Sequence, residues 1–303
     1  MKIIAVIVTF NRPIKLEKSI RSIYGGHTVP HKVLVIDNSS TDNTHAVLLR
    51  LKEEFDSLEV VQTKQNLGGA GGFYVGLKTA YDMGASHFWV MDDDAYCQTK
   101  SLSELIAAYQ EVSSSEKVGF LCSRIDWTDG QICQMNQPEA AWDWMRRFSE
   151  SLPLVKVTSC SFVSCFFSRE VLETIGLPIK EFFIWYDDIE FTQRISKLYP
   201  CYAVMSSIVL HDIPKNLGVY YADINNDNFW KFAYGASNES WFRFWRKSPF
   251  HWLLFFAQKN RDMYKGGVTI KNRIRVNFRI LLGVFRRHQV RMVGDCHFED
   301  LVR

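Results

Sequence analysis

No stretch of this 303-residue chain is apolar for long enough to cross a bilayer. The apolar start, Ile3 to Phe10, is short and carries no small-residue cleavage site, so it reads as a first strand rather than a secretory leader. Cysteines are few and odd in number, seven, and none forms a C-x-x-C pair, which argues against a disulfide framework or a zinc site and for a reducing cytoplasm. Internal repeats and low-complexity tracts are lacking, which excludes solenoids and disordered linkers. No glycine-rich loop ends in Lys-Ser/Thr, so the phosphate-binding loop of the common NTPases is absent. Acidic residues are scarce at one end. From Arg243 to Arg303 there are 14 Lys/Arg and 4 Asp/Glu, a charge of +10; with +3 overall, the rest of the chain carries −7. The basic end suits an anionic surface such as lipid headgroups or nucleic acid, although no nucleic-acid motif accompanies it.

What is present is a chain that is 47% hydrophobic and 14% aromatic, enough for a sizeable core. Strand and helix patterns alternate through the first half: strands at 3–9, 33–36, 58–63 and 87–91, and helices at 13–24, 42–55 and 72–83. Such alternation predicts an α/β fold with a mostly parallel sheet covered on both faces. Further on, 101–112 reads as a helix, 118–122 as a strand, 124–153 as an irregular excursion, 161–167 as a strand, 188–198 as a helix and 202–210 as a strand. Beyond a soft boundary near Pro214 the pattern is helical, at 228–245, 251–264 and 270–287. In the last of these, Ile270, Ile274, Phe278, Leu281, Leu282 and Phe285 recur at helical spacing among seven Lys/Arg between Lys271 and Arg291 and no acid. That stripe either packs on the rest of the protein or lies on a membrane.

Five constellations carry chemistry. Asp92-Asp93-Asp94 closes an apolar strand, at the edge where open α/β sheets bind ligands. Three adjacent anions repel one another, and a divalent metal carrying a phosphate relieves this; the plainer alternative is a solvated turn. Thr9, Asn11 and Arg12 follow strand one, and Asp37 ends strand two with a Ser/Thr/Asp run behind it, in which Thr41 or Asp42 caps a helix. Asn66-Leu67-Gly68-Gly69-Ala70-Gly71-Gly72-Phe73 lets backbone approach a ligand closely and opens a helix whose N-terminus attracts anions; a flexible turn is the alternative. Trp185-Tyr186-Asp187-Asp188-Ile189-Glu190 puts aromatics beside carboxylates, as a sugar site does, or else is a core Trp before an acidic helix start. His211 ends an apolar strand, where it is either a third metal ligand or structural.

Taken in order, residues 1 to about 212 resemble the inverting family 2 glycosyltransferases of GT-A fold, and within them the bacterial galactofuranosyltransferases, through the glycine segment, Asp92–Asp94 and Trp185-Tyr186-Asp187-Asp188. The resemblance implies a GT-A catalytic domain over 1–213 and a helical, basic region over 214–303. It implies a UDP-sugar held by Thr9, Asn11, Arg12, Asp37, Asn66, Gly68, Gly69, Gly71, Asp93 and Trp185. Mn²⁺ or Mg²⁺ would sit on Asp92, Asp94 and His211. Asp188 would be the general base and Asp187 would orient sugar hydroxyls, with Asp187 or Glu190 next in line as base. The expected reaction is transfer of a galactofuranosyl residue from UDP-galactofuranose to a glycan or polyprenyl-linked glycan in bacterial surface polysaccharide synthesis, at the inner face of the cell membrane. A rhamnosyltransferase using a dTDP-sugar and a non-catalytic nucleotide-sugar-binding protein are the alternatives. A homo-oligomer is left open.

Overall fold

The computed structural model describes residues 1–147, 153–296 and 298–302. Ten strands form one sheet: β1 (Ile3–Thr9), β2 (Lys32–Asp37), β3 (Leu58–Gln62), β4 (His87–Asp92), β5 (Ala95–Cys97), β6 (Phe120–Trp127), β7 (Glu139–Ala140), β8 (Leu154–Ser159), β9 (Cys165–Ser168) and β10 (Cys201–His211). Their order is β3-β2-β1-β4-β9-β6-β10-β8-β7, with β5 also on β10. β3, β2, β1 and β4 are mutually parallel, and β6 and β10 run with them across the antiparallel β9. Helices α1 (Pro13–Tyr24), α2 (Thr44–Glu54), α3 (Gly68–Asp82), α4 (Ser101–Ser113), α5 (Arg169–Ile175) and α6 (Asp187–Ser196) cover the sheet.

β1 shows why the sheet needs two layers. Its run Ile-Ile-Ala-Val-Ile-Val-Thr is apolar on both faces, as a parallel strand buried by helices requires. Ile4 and Val6 join one core with Phe73 and Leu77 of α3, while Ile3, Ala5 and Ile7 join another with Leu16 and Ile20 of α1. The register then fixes the functional edge: Thr9 pairs with Asp37, and Val8 with Asp92, so three strands end together.

Several boundaries differ from the sequence pattern. α3 starts at Gly68, four residues before the expected start, because its glycines are packing positions within the helix. A Cβ on Gly72 would stand 2.3 Å from Val8 Cγ1, and one on Gly76 would stand 2.5 Å from Val6 Cγ1, so α3 lies on β1 only through glycine. β6 runs on to Trp127, and the 161–167 strand shrinks to Cys165–Ser168. The strand β8 and helix α5 have no counterpart in the pattern. All seven cysteines are free and only Cys97 is not fully buried, in line with their reading as small hydrophobes.

The last third is helical: α7 (Phe229–Phe242) runs into a π-helical turn at Arg243–Lys247, followed by α8 (Pro249–Lys265) and α9 (Ile270–Phe285). Trp241 and Phe242 pack with Ala70, Ile179 and Phe182, joining these helices to the sheet domain. The apolar stripe of α9 does not pack on the sheet domain. Asn272, Val276, Ile280 and Gly283 face inward, while Ile270, Ile274, Phe278, Leu281, Leu282 and Phe285 are exposed. Gly283 decides the orientation: a Cβ there would stand 2.3 Å from Ser237 O, so only glycine permits α9 this close to α7.

Candidate active site

The aspartate triplet lies between three loops. Asp92 ends β4 and is half-buried, whereas Asp93 and Asp94 are buried, so the solvated-turn alternative for this segment does not hold. Burial demands partners. Asp93 accepts from Thr9 Oγ1 (2.8 Å) and Arg12 Nη1 (3.1 Å). Asp94 accepts from the same Arg12 Nη1 (2.7 Å), with Lys15 Nζ at 3.6 Å. Its other oxygen meets His211 Nε2 at 3.1 Å. Thus Thr9, Arg12, Asp93, Asp94 and His211 share one network.

Asp92, Asp94 and His211 each offer one ligand atom, and those atoms lie within 4.8 Å of one another. Two carboxylates and an imidazole form a donor set of the kind that holds a divalent cation. The imidazole is aimed: its Nδ1 faces Asn136 Oδ1 at 2.6 Å, leaving Nε2 toward Asp94. Electrostatics agree. Burial, then the charge of Asp94, pushes the Asp92 carboxyl up to about 7, against His211. Burial pushes Asp93 to about 6, against Arg12. For Asp94 burial is opposed by His211, Arg12 and Lys15, which hold it below the ordinary carboxylate range. Burial disfavours the His211 imidazolium, but its hydrogen bond to Asp94 raises it to about 10. Carboxylates crowded until two are shifted toward neutrality form a site that a divalent cation stabilises.

Asp37 is buried and uses its carboxylate on Ser40 N (2.9 Å) and Gln62 Nε2 (3.1 Å). Neither cap candidate takes the N-cap position, which falls to Asn43 before α2: Asp42 accepts from Thr44 N, and Thr41 N donates to Asn11 Oδ1. Asn11 (φ 54°) also takes Ser40 Oγ at its own N–H, stapling the β1 and β2 loops together. The glycine segment is set by two asparagines. Asn66 Oδ1 accepts from Gly68 N at 2.8 Å, and the buried Asn38 donates to Asn66 Oδ1 and Gly68 O while accepting from Leu67 N. Gly68 (φ +70°) lies against Phe183 O, and Gly71 against the Leu67 side chain. Gly69 differs, for a Cβ there would meet nothing within 4 Å.

Asp187 and Asp188 start α6 behind a strained loop, in which Phe183, Trp185 and Tyr186 all have positive φ (64°, 66° and 72°). The buried Asn238 of α7 restrains it by donating to Phe182 O (2.8 Å), Ile184 O (3.1 Å) and Trp185 O (3.0 Å). Half-buried Trp185 rests its ring on Gly235 and edge-on to Phe232, both in α7. Burial raises Asp188 to about 6 despite its bond from Ile189 N (2.7 Å). Asp187 is raised well above its ordinary value by burial and then by the Asp188 charge. The two carboxylate groups feel each other: the Asp188 charge raises Asp92, and the Asp92 charge raises Asp187. Glu190, expected as a reserve base, is not available: it is fully buried between Arg194 (2.9 Å) and Arg246 (2.8 Å). A cavity of about 420 Å³ adjoins Asp188, with Asn136, Gln193, Arg243, Lys247 and His251 among its walls.

The profile of glycosyl transferase family 2 matches residues 4–176, more than half of the chain. The chain belongs to glycosyl transferase family 2. Its curated relatives include the galactofuranosyltransferase GlfT1 of Mycobacterium tuberculosis, 28% identical over 200 residues, and that of Mycolicibacterium smegmatis, 26% identical over 199 residues. The first match covers 64% of this chain and spans 64% of the relative's length. Among solved structures, residues 1–349 of S. aureus TarS in complex with UDP align with a TM-score of 0.55 at 16% identity, covering 94% of this chain and 89% of that one. The mannosyltransferase PcManGT from Pyrobaculum calidifontis, with GDP-Man and Mn²⁺, aligns with a TM-score of 0.54 at 16% identity, covering 93% and 73%. The fold is accordingly of GT-A type.

Three contributors escaped the sequence reading. Asn38, Asn136 and Asn238 each hold a segment of the site through backbone or imidazole partners distant in sequence.

Proposed function

We propose that this chain is an inverting, metal-dependent galactofuranosyltransferase that moves a galactofuranosyl residue from UDP-galactofuranose to a glycan or lipid-linked glycan acceptor. The observation that carries this reading is the Asp92–Asp94–His211 cluster within electrostatic reach of the Asp187–Asp188 helix start, where Asp188 lines a cavity. The galactofuranosyl donor is supported by the GlfT1 relatives.

Residues 1–213 form the donor-binding part and residues 214–303 the helical part that clamps the acceptor side. Asp37, at the end of β2, faces the uracil, with Thr9, Asn11 and Arg12 framing it. Asn66, Gly68, Gly69 and Gly71 bring backbone to the ribose and diphosphate, with Gly69 the open position. Asp93 holds Arg12 in place, and Trp185 lies at the sugar end of the loop that its packing on α7 fixes. Asp92, Asp94 and His211 would hold a divalent cation, which would supply positive charge to stabilise the leaving diphosphate. Asp188 takes the proton from the acceptor hydroxyl as that oxygen attacks the anomeric carbon and the bond to UDP breaks. Asp187 orients hydroxyls. One displacement inverts the centre. The working location is the cytoplasmic face of a membrane that carries the acceptor.

The test is UDP release across a panel of UDP- and dTDP-sugars with Mn²⁺. Turnover with UDP-galactofuranose alone supports the proposal. Turnover with dTDP-rhamnose instead moves the enzyme to the rhamnosyl class, and binding without turnover of any donor leaves a nucleotide-sugar-binding protein.

A further inference from the structure

The helical region keeps its most apolar arcs in solvent. An α-helix turns about 100° per residue. On α9 the inward residues Val276, Ile280 and Gly283 therefore define one side, and Ile274, Phe278 and Phe285 lie opposite, exposed by 64%, 59% and 80%. α8 repeats the pattern: Phe255 and Met263 turn inward, while Phe250, Leu253 and Leu254 face out. The two helices run side by side, tied by reciprocal bonds between Asn260 and Asn277 (3.0 and 2.7 Å). Trp245, itself 60% exposed, donates to Val284 O at 2.9 Å and extends the same surface at the end of α9. Scattered exposed apolar residues are ordinary; their concentration on the outer sides of two bonded helices marks an interaction surface.

Its charge says what it meets. Lys271, Arg275 and Arg279 follow the outer apolar arc on one flank of α9, Arg286 and Arg287 cap its end, and no acid occurs from 271 to 291. A two-fold contact with a second copy would set this cationic rim against itself. Anionic headgroups above an acyl layer complement both features. Among the described residues no helix is long and apolar enough to cross a membrane. Lys247 and His251, which flank the start of α8, also wall the cavity at Asp188, so this surface borders that cavity.

We propose that α8, α9 and Trp245 form a bilayer-docking face, lying in the plane of an anionic membrane with the outer apolar residues among acyl chains and the Lys/Arg flank at the headgroups. This inference stands apart from the donor sugar and from the chemistry at Asp188.

The experiment is co-sedimentation of the full chain with vesicles of phosphatidylcholine alone or mixed with phosphatidylglycerol, at low and high salt. Two variants are compared, Leu253→Ser/Phe278→Ser/Phe285→Ser and Lys271→Glu/Arg279→Glu/Arg287→Glu. The wild type should bind the anionic vesicles, with part of the binding surviving high salt. The charge variant should lose the salt-sensitive part. The apolar variant should bind at least about tenfold more weakly, the scale set by withdrawing three large side chains from lipid. Its circular dichroism, melting point and UDP release with a water-soluble acceptor should be unchanged, which separates loss of docking from loss of fold or function. Equal partitioning of wild type and apolar variant would overturn the proposal. So would absence of wild-type binding to any vesicle, or a dimer in sedimentation velocity that the apolar variant dissolves while vesicle binding persists.

Discussion

Asp188 accepts a hydrogen bond from the backbone N–H beside it, and burial lifts its carboxyl to about 6. In the proposed role of general base Asp188 works deprotonated, so the sign of the pH dependence follows. Turnover should be full above about pH 6 and fall as pH drops through that value. Asp188→Asn should retain UDP-sugar binding by calorimetry and lose at least about a hundredfold in turnover, the usual scale of a general base. His211 is tuned from behind by Asn136, so Asn136→Leu should weaken Mn²⁺ affinity by about 10–100-fold while leaving the ligands in place. Metal titration followed by calorimetry checks it, and unchanged affinity would remove Asn136 from the site. At this scale the carboxylates and His211 were legible because strand ends and charge crowding mark them. The three asparagines were not, because each is defined by carbonyls, amides or a ring that only the tertiary fold brings near.

Among the elements, α3 offers the sharpest contrast. Gly72→Ala drives a methyl to 2.3 Å from Val8 and must push the helix off β1, at a cost of about 1–3 kcal/mol, the range for overpacking. Gly69→Ala meets nothing and should change stability by less than about 1 kcal/mol, yet lower donor affinity if the diphosphate passes there. Thermal melts and UDP titration of the two variants separate packing glycines from a ligand-facing one. The strand–helix alternation and the glycine segment were legible as pattern. What the glycines do was not, since helix–strand contact and ligand approach call for the same residue. Likewise α9 displayed its apolar periodicity plainly, but the period alone does not say which face is inward; Gly283 against Ser237 decided that.

For the whole molecule, the boundary near Pro214 divides composition more cleanly than it divides the site. The loop before α6 carries three positive-φ residues and is held by Asn238 from α7, while Glu190 is paired with Arg246 from the π-helical turn. A chain ending at residue 213 should therefore lose activity and expose the apolar surface around Phe182 and Ala70. Asn238→Ala, which leaves three carbonyls without this donor, should cost about 1–3 kcal/mol and lower turnover more than donor affinity. Melting and steady-state kinetics on both would show it, and an active 1–213 fragment would contradict the clamp.

The central claim is that Asp92, Asp94 and His211 hold the cation that makes UDP a leaving group at this edge of the sheet. The direct measurement is UDP release from UDP-galactofuranose by metal-stripped enzyme, with Mn²⁺ then added back, for wild type and Asp94→Asn. The account predicts no turnover in EDTA, recovery of the wild type with Mn²⁺, and a variant that stays folded but is not restored. Full turnover in excess EDTA, or an Asp94→Asn enzyme rescued to wild-type rate by the same Mn²⁺, would contradict it.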